Sequence, residues 1–90
     1  MPINVIIYLC SDIRRIHVKT LREEFEFNGL LRDVKRLLPK EFLVIHRSFI
    51  INKAHVLQYA YDSVRLSDGT TLSVSKTNRS KVKAFMMAGK

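Results

Sequence analysis

The sequence predicts a mostly β domain with one or two short helices, and three observations support that fold class. Short apolar and β-branched runs recur about every ten residues, and turn-forming dipeptides such as Asn28-Gly29 and Asp68-Gly69 separate them. Apolar residues at helical spacing are confined to two segments, 30–38 and 76–90. Ninety residues is the length of a single domain, so residues 1–90 are expected to fold as one unit.

The first third of the chain predicts three strands. INVIIYLC (3–10) is β-branched and aromatic, as is usual in a buried strand. RRIHVKT (14–20) alternates polar and apolar residues, which indicates a half-exposed strand. LREE (21–24) is expected to form a hairpin tip, and EFEF (24–27) returns with the same alternation before a turn at Asn28-Gly29.

Two segments predict helices. In 30–38 the apolar residues form a stripe of helical spacing, and Pro39 ends the helix. The segment 76–90 predicts a short terminal helix with either Ser75 or Thr77 as its N-cap. The apolar stripes consist of Leu30, Leu31, Val34, Leu37 and Leu38 in the first helix, and of Val82, Phe85 and Met86 in the second.

The remaining segments are strand-like. EFLVIHRSFIIN (41–52) is a long apolar segment interrupted by polar residues, and 54–61, 63–67 and 71–75 follow it. Asp68-Gly69, between the last two, predicts a hairpin turn.

Charge indicates the class of partner. Sixteen Lys and Arg against eight Asp and Glu give a net charge of +8. Residues 1–45 hold eight basic and six acidic groups, whereas residues 46–90 hold eight basic and two acidic groups. Such a one-sided basic field favours nucleic acid first and an anionic membrane second, while the alternative is a charge that serves only solubility.

The sequence gives no support for catalysis or metal binding. It has none of the common nucleotide-binding, hydrolase or metalloprotease motifs, and His17, His46 and His55 lie on different predicted strands without zinc-ligand spacing. We therefore expect neither an enzyme nor a cofactor. The lone Cys10 is better explained as a buried small hydrophobe than as a reactive thiol, and it is consistent with a cytoplasmic protein. No apolar run is long enough to span a membrane, and no secretory signal is recognisable.

Several polar side chains suit DNA binding. Arg47 and Lys76 can donate to guanine O6 and N7 in the major groove. Hydroxyl, amide and basic side chains can contact phosphates, which is the commoner kind of contact and releases counterions where charge is involved. The candidates of this second kind are Ser48, Asn52, Ser75, Thr77, Asn78, Arg79, Lys81 and Lys83.

The stretch IHRSFIIN (45–52) places polar residues between apolar runs. The apolar neighbours are expected to anchor two strands in the core, with Arg47 and Ser48 facing outwards. For His46 and Asn52 two roles are open, tying down the backbone between the strands or contacting DNA. For Arg47 the alternative to DNA contact is a surface ion pair with a residue such as Glu41.

The chain resembles the LytTR family of bacterial DNA-binding domains. The resemblance covers nearly the whole sequence. It is carried by the helix segment LLRDVKRLLPKEF (30–42), by IHRSFIIN (45–52) followed by Val56, and by VRLSDG (64–69) and LSVSK (72–76). It implies an elongated set of small antiparallel sheets that binds DNA through loops and strand edges, recognises direct repeats and bends the duplex. It also implies an output domain of a two-component response regulator, which could form a homodimer on DNA.

Transferred to this chain, the resemblance implies that Arg47 contacts a base or phosphate and that Lys76, at a position usually held by Arg, reads the major groove. It implies that the hairpin tip at 21–24 is a third contact loop, where Arg22 could reach DNA although Glu23 and Glu24 repel phosphate. The chain begins almost at its first strand, whereas the family usually has another strand upstream. The resemblance therefore leads us to expect either a domain excised from a longer response regulator or a truncated, stand-alone protein.

Two rival functions are consistent with the residues. A protein-interaction module would use the basic face or a sheet edge to bind another protein. A small basic β domain could instead bind RNA, although Tyr8, Tyr59 and Tyr61 fall on core-like faces and offer no evident stacking platform.

Overall fold

The computed structural model describes residues 3–87 and consists of two antiparallel sheets with two short helices. The larger sheet has the strand order β3-β2-β1-β5-β4, and the smaller has the order β6-β7-β8. The domain measures 31 × 25 × 21 Å. The predicted mostly β class is confirmed. The elements are β1 (Ile6–Asp12), β2 (Arg15–Thr20), β3 (Glu24–Asn28), α1 (Leu31–Lys35), β4 (Phe42–His46), β5 (Phe49–Asn52), β6 (Val56–Ala60), β7 (Ser63–Leu66), β8 (Thr71–Ser73) and α2 (Arg79–Met87), with 3-10 turns at Ile3–Val5, Lys53–His55 and Lys76–Asn78.

The central strands of the larger sheet are buried on both faces, because their neighbouring residues point into two different apolar cores, whereas β3 at the edge is exposed. Ile50 belongs to one core and Ile51 to the other. The smaller sheet and α2 cover the first face, and α1 covers the second. The first core contains Ile7, Tyr8, Leu43, Ile45, Ile51, Val64, Leu66, Leu72, Val74 and Val82; the second contains Ile6, Leu9, Ile16, Val18, Leu31, Phe42 and Ile50.

The first helix is shorter than its apolar spacing predicts. It spans Leu31–Lys35. The residues after it form turns closed by hydrogen bonds to the carbonyl three residues earlier, such as that from the Leu37 N–H to the Val34 carbonyl at 2.9 Å. As a result Leu37 is 83% exposed and does not join the stripe that packs on the core. Pro39 would end a helix because it has no backbone N–H to donate, but the helix already ends at Lys35, four residues earlier.

The segment 41–52 is a hairpin rather than one strand. β4 and β5 pair antiparallel, with His46 opposite Phe49, and Arg47 and Ser48 form the turn between them. Arg47 and Ser48 therefore mark the point where the chain reverses direction, which explains why polar residues interrupt the apolar segment there.

The predicted hairpin tips at 21–24 and at Asp68-Gly69 are confirmed. Gly69 has a φ of +90°, and the Asp68 carboxylate accepts the Thr70 N–H at 2.9 Å, which holds the turn. The terminal helix is also confirmed as α2, although a 3-10 turn precedes it and Ser75 makes no side-chain bond to a backbone N–H there. The predicted extension of that helix to residue 90 lies outside the described residues.

The turn between β1 and β2 has an unusual composition. Asp12 pairs with Arg15, so Ile13 and Arg14 alone form the turn, and their φ angles are +44° and +64°. Two-residue hairpin turns of type I′ have positive φ at both positions and normally use Asn, Asp or Gly. The sequence contains no such signal here.

Candidate nucleic-acid interface

Three segments meet at one end of the larger sheet. The turn at Arg47 and Ser48 lies beside the end of β1, since the Ser11 N–H donates to the Ser48 carbonyl at 3.0 Å. On the other side, the Ser75 N–H donates to the Ile45 carbonyl at 2.9 Å, which brings the segment after β8 against the end of β4. We call this end the basic edge and define it by Arg14, Arg32, Arg47 and Lys76.

A shallow depression of about 360 Å³ joins three of these residues. Arg14, Arg32 and Arg47 line it together with Ser11 and residues 29–31. The Gly29 N–H donates to the Arg14 carbonyl at 2.7 Å, and this bond ties the β1–β2 turn to the start of α1. Three guanidinium groups around one concave surface form a strongly anion-attracting region.

The basic edge is not neutralised by acidic partners. Within residues 3–87, none of its four cations forms an ion pair. The neighbouring Arg15, by contrast, pairs with Glu26, with its Nη1 lying 3.1 Å from Oε1 of the glutamate. The alternative of an Arg47–Glu41 pair has no support, because the five-residue strand β4 separates them by about 17 Å. Asp12 is an exposed acid nearby, at the foot of the β1–β2 turn. The edge is therefore free to attract a polyanion.

His46 positions the turn. The Ser48 N–H donates to its Nδ1 at 3.1 Å, and its ring packs at 5.0 Å on Phe49. Since Nδ1 accepts this bond, the ring proton of neutral His46 is on Nε2. Its half-buried ring supports the backbone role that the sequence left open.

The structure removes Asn52 from the residues expected to contact DNA, because its side chain is buried. Its side chain is 1% exposed, with Nδ2 donating to the Ile6 carbonyl at 2.8 Å and Oδ1 accepting the Ala54 N–H at 3.0 Å. Both ends of the amide are already paired inside the domain. It therefore ties β1 to the end of β5 and cannot reach DNA.

The segment after β8 presents Lys76 to solvent. Asn78 turns inwards, where its Nδ2 donates to Ser75 Oγ at 2.6 Å and its N–H donates to the Ser75 carbonyl. Thr77 is exposed, and its Oγ1 lies 3.4 Å from Ser75 Oγ. Asn78 thus shapes the loop that carries Lys76, and the second N–H of its Nδ2 and its amide oxygen are left for other contacts.

Arg79 is half-buried. Its guanidinium lies 5.7 Å from the centre of the Tyr61 ring, and its Nε is buried without a hydrogen-bond partner. Tyr61 and Asp62 form the β6–β7 turn, which lies at this end of the molecule because the Val74 N–H donates to the Asp62 carbonyl.

Lys81 and Lys83 are exposed on α2, which leads away from the basic edge. The far end of this helix lies by Lys53, whose Nζ donates to the Phe85 carbonyl at 3.0 Å. Lys81 is accordingly the better placed of the two for a polyanion on the edge.

The tip at 21–24 lies at the opposite end of the sheet. Thr20 pairs with Ile6, at the start of β1, whereas the basic edge lies beyond its other end, about 20 Å away. The structure therefore does not bring Arg22 together with Arg47 and Lys76. In its place it brings Arg14 and Arg32, which the sequence reasoning missed; the doubled Arg14-Arg15 after a short polar break was the available signal.

The charged groups on β2 and β3 are mutually satisfied. Lys19 Nζ donates to Glu24 at 2.5 Å, and this hydrogen bond lowers the pKa of the Glu24 carboxyl. His17 Nδ1 lies 3.1 Å from the same carboxylate. These contacts account for the glutamates of the EEFE stretch without acid–base chemistry.

The described residues offer no group of three or more His, Cys, Asp or Glu side chains that could hold a metal ion. His55 is engaged by Ser67 and by the Asn4 carbonyl, both at 2.7 Å. Cys10 is half-buried against the first core. No helix within 3–87 has the length and apolarity that a membrane span needs.

Comparison with known proteins identifies the family of this domain. The sequence profile described as the LytTr DNA-binding domain matches residues 1–87, so the chain belongs to that family. It is a DNA-binding domain of transcription regulation. No curated protein matches it.

A solved structure shares the fold. It is described as the LytTr DNA-binding domain of a methyl-accepting/DNA response regulator from Bacillus cereus, with 22% sequence identity and a TM-score of 0.87. The match covers 97% of this chain and 85% of that chain. The agreement in fold extends over nearly all of the domain.

Proposed function

We propose that the basic edge reads duplex DNA in a sequence-specific way, as the output surface of a bacterial transcription regulator. The observation that carries this proposal is the convergence of Arg14, Arg47 and Lys76 on three neighbouring segments, without an acidic partner among the described residues. Exposed Arg and Lys on rigid turns can reach guanine O6 and N7, and the surrounding cations supply phosphate contacts.

The order of the segments suggests how the edge spans DNA. Neighbouring strands lie about 4.8 Å apart, so the backbone distance from the β1–β2 turn to the segment at Lys76 is about 17 Å. That distance exceeds the minor-groove width of about 6 Å, and arginine and lysine side chains extend it on both sides. Arg14 and Lys76 can therefore enter two successive major grooves, with Arg47 between them.

Arg47 and Lys76 lie on adjacent segments, whereas Arg14 lies farther from Lys76. The pair Arg14 and Lys76 is therefore better spaced than the pair Arg47 and Lys76 to reach major grooves on the two sides of one minor groove. The proposed phosphate contacts remain Ser48, Asn78, Arg79, Lys81 and Lys83. Of the two lysines, Lys81 lies closer to the basic edge than Lys83. Arg32 joins these contacts from the start of α1.

The regulator context is also proposed. The Bacillus cereus structure is described as part of a response regulator, and the same context would place this domain below a phospho-receiver in a two-component system. Direct repeats in the target would call for two copies of the domain on one duplex. Bending would let the shallow edge contact more phosphates than a straight duplex allows.

Selection of bound duplexes from a random pool at about 150 mM salt tests the proposal. We expect the wild type to enrich a motif, repeated at multiples of about 10.5 base pairs if two copies bind. Arg14→Ala, Arg47→Ala and Lys76→Ala should each cost about 1–3 kcal/mol on that motif and relax it at particular bases. Lys81→Ala should instead weaken all duplexes alike and lower the salt slope by about one.

Contrary outcomes separate the rivals. Recovery of unenriched DNA with steep salt dependence would leave only nonspecific charge. Displacement of duplex by single-stranded RNA would favour an RNA-binding domain. Retention of a partner protein without DNA would favour an interaction module.

A further inference from the structure

Among the described residues, Ile13 is the most exposed large apolar side chain. It is 92% exposed, at the tip of a two-residue turn, with a φ of +44°. A β-branched residue is rare in the left-handed region, because its Cβ substituents crowd the backbone there. It also gains no burial from the fold. Neither packing nor turn geometry accounts for an isoleucine at this position.

The surroundings of Ile13 indicate what it contacts. Its neighbour Arg14 lines the depression shared with Arg32 and Arg47, so the turn projects from the basic edge. A residue that breaks local rules without a compensating contact inside the chain is expected at a functional position. An apolar tip beside several arginines fits a surface that is negatively charged at its rim and presents methyl groups among polar base edges, as the major groove of DNA does.

We propose that Ile13 reads thymine, by contact of its side chain with the C5-methyl group in the major groove. This inference rests on the proposed DNA-reading function of the basic edge. The major groove admits a two-stranded β-ribbon such as the β1–β2 hairpin, whereas the minor groove is about half as wide. Thymine is the natural base that presents a methyl group there, and apolar side chains recognise it by burying that methyl.

Position 13 lies next to Arg14, so the two would read adjacent base pairs. Arg14 would donate to guanine, and Ile13 would exclude water from the methyl group of a neighbouring thymine. The consequence is a preference for thymine beside the base that Arg14 reads.

The test uses the duplex selected by the wild-type protein, with each thymine replaced in turn by deoxyuridine, which lacks only the methyl group. We expect replacement at one or two thymines to weaken wild-type binding about fourfold, the ratio that corresponds to about 0.8 kcal/mol for one methyl-sized group. Those thymines should adjoin the bases that Arg14→Ala relaxes.

Ile13→Asn is the informative variant, since Asn tolerates positive φ and the change removes the apolar group. It should bind the thymine duplex about fourfold more weakly than the wild type and show no further loss with deoxyuridine. Its melting temperature should be equal to or above that of the wild type, which excludes misfolding as the cause. Leu37→Asn, the same kind of change at a residue 83% exposed away from the edge, is the matched control and should leave binding unchanged.

Three results would overturn the inference in distinguishable ways. A wild type that enriches a motif but ignores every deoxyuridine replacement has no methyl-reading residue. Equal deoxyuridine sensitivity in Ile13→Asn and wild type would assign the methyl contact to another residue. A wild type that enriches no motif would remove the proposed function itself, and the inference with it.

Discussion

Replacing Asn52 by alanine should destabilise the domain strongly without touching a DNA contact. The change removes two hydrogen bonds at a position that is 1% exposed, one to the Ile6 carbonyl and one from the Ala54 N–H. A buried polar group left without its partner costs about 1–3 kcal/mol, and the Ala54 N–H, being only partly buried, can recover some of its loss from water. The expected cost is therefore about 2–4 kcal/mol.

That cost is a large part of the about 5–15 kcal/mol by which domains are stable. For a chain of 90 residues, each kcal/mol lowers the melting temperature by about 4–8 °C, so a fall of about 10 °C or more is expected. Thermal and urea unfolding measure it, with Asn28→Ala, the same change at an exposed asparagine, as the control. DNA affinity measured at a temperature where the variant is folded should match that of the wild type. Unchanged stability together with lost affinity would refute the interior role assigned to Asn52.

Three further predictions concern single positions. Arg22→Ala should leave DNA affinity within about twofold of wild type, because its loop lies about 20 Å from the basic edge; a tenfold loss in a binding titration would return that loop to the interface. Gly69→Ala should lower the unfolding free energy by about 1 kcal/mol through its positive φ alone, since nothing lies within 4 Å of an added Cβ, and urea titration would contradict this if stability were unchanged. Burial raises the pKa of the Cys10 thiol, so less thiolate exists at pH 8 than in an ordinary cysteine, and alkylation by iodoacetamide should be slower than that of a free cysteine peptide; an equal or faster rate would show an activated thiol.

Strands and hairpin tips with strong local signals could be predicted from the sequence. The Asp68-Gly69 turn is an example, because an aspartate that accepts a backbone N–H and a glycine at positive φ define the turn by their own chemistry. The extent of the first helix could not be predicted in the same way. Leu37 fits the helical spacing, and only the tertiary structure, in which the chain turns before Pro39, leaves it exposed.

The basic edge was predictable in part. Arg47 and Lys76 were identified from motifs, whereas Arg14 and Arg32 become neighbours of Arg47 only through strand order and the packing of α1. The tip that carries Arg22 lies at the opposite end of the sheet, and the sequence could not show this, because a loop rich in charge does not reveal at which end of a sheet it lies. The Ile13-Arg14 turn was missed because its residues contradict turn propensity, and local signals cannot predict a conformation that the surrounding strands impose.

The stretch IHRSFIIN combines two kinds of residue, those whose side chains hold the fold and those whose side chains do not. Its inward polar residues, His46 and Asn52, make hydrogen bonds that fix the turn and the strand end, so a change at either alters the fold before it alters binding. Its outward residue, Arg47, is held by main-chain bonds around it, such as Ser11 N–H to the Ser48 carbonyl, which any side chain at position 47 would leave intact. The same holds at position 76, where Ser75 is fixed to Ile45 through backbone atoms. Because the frame does not depend on the exposed side chains, substitutions at the basic edge should leave the turns in place, so under the proposed function they would change which DNA is read without changing the fold.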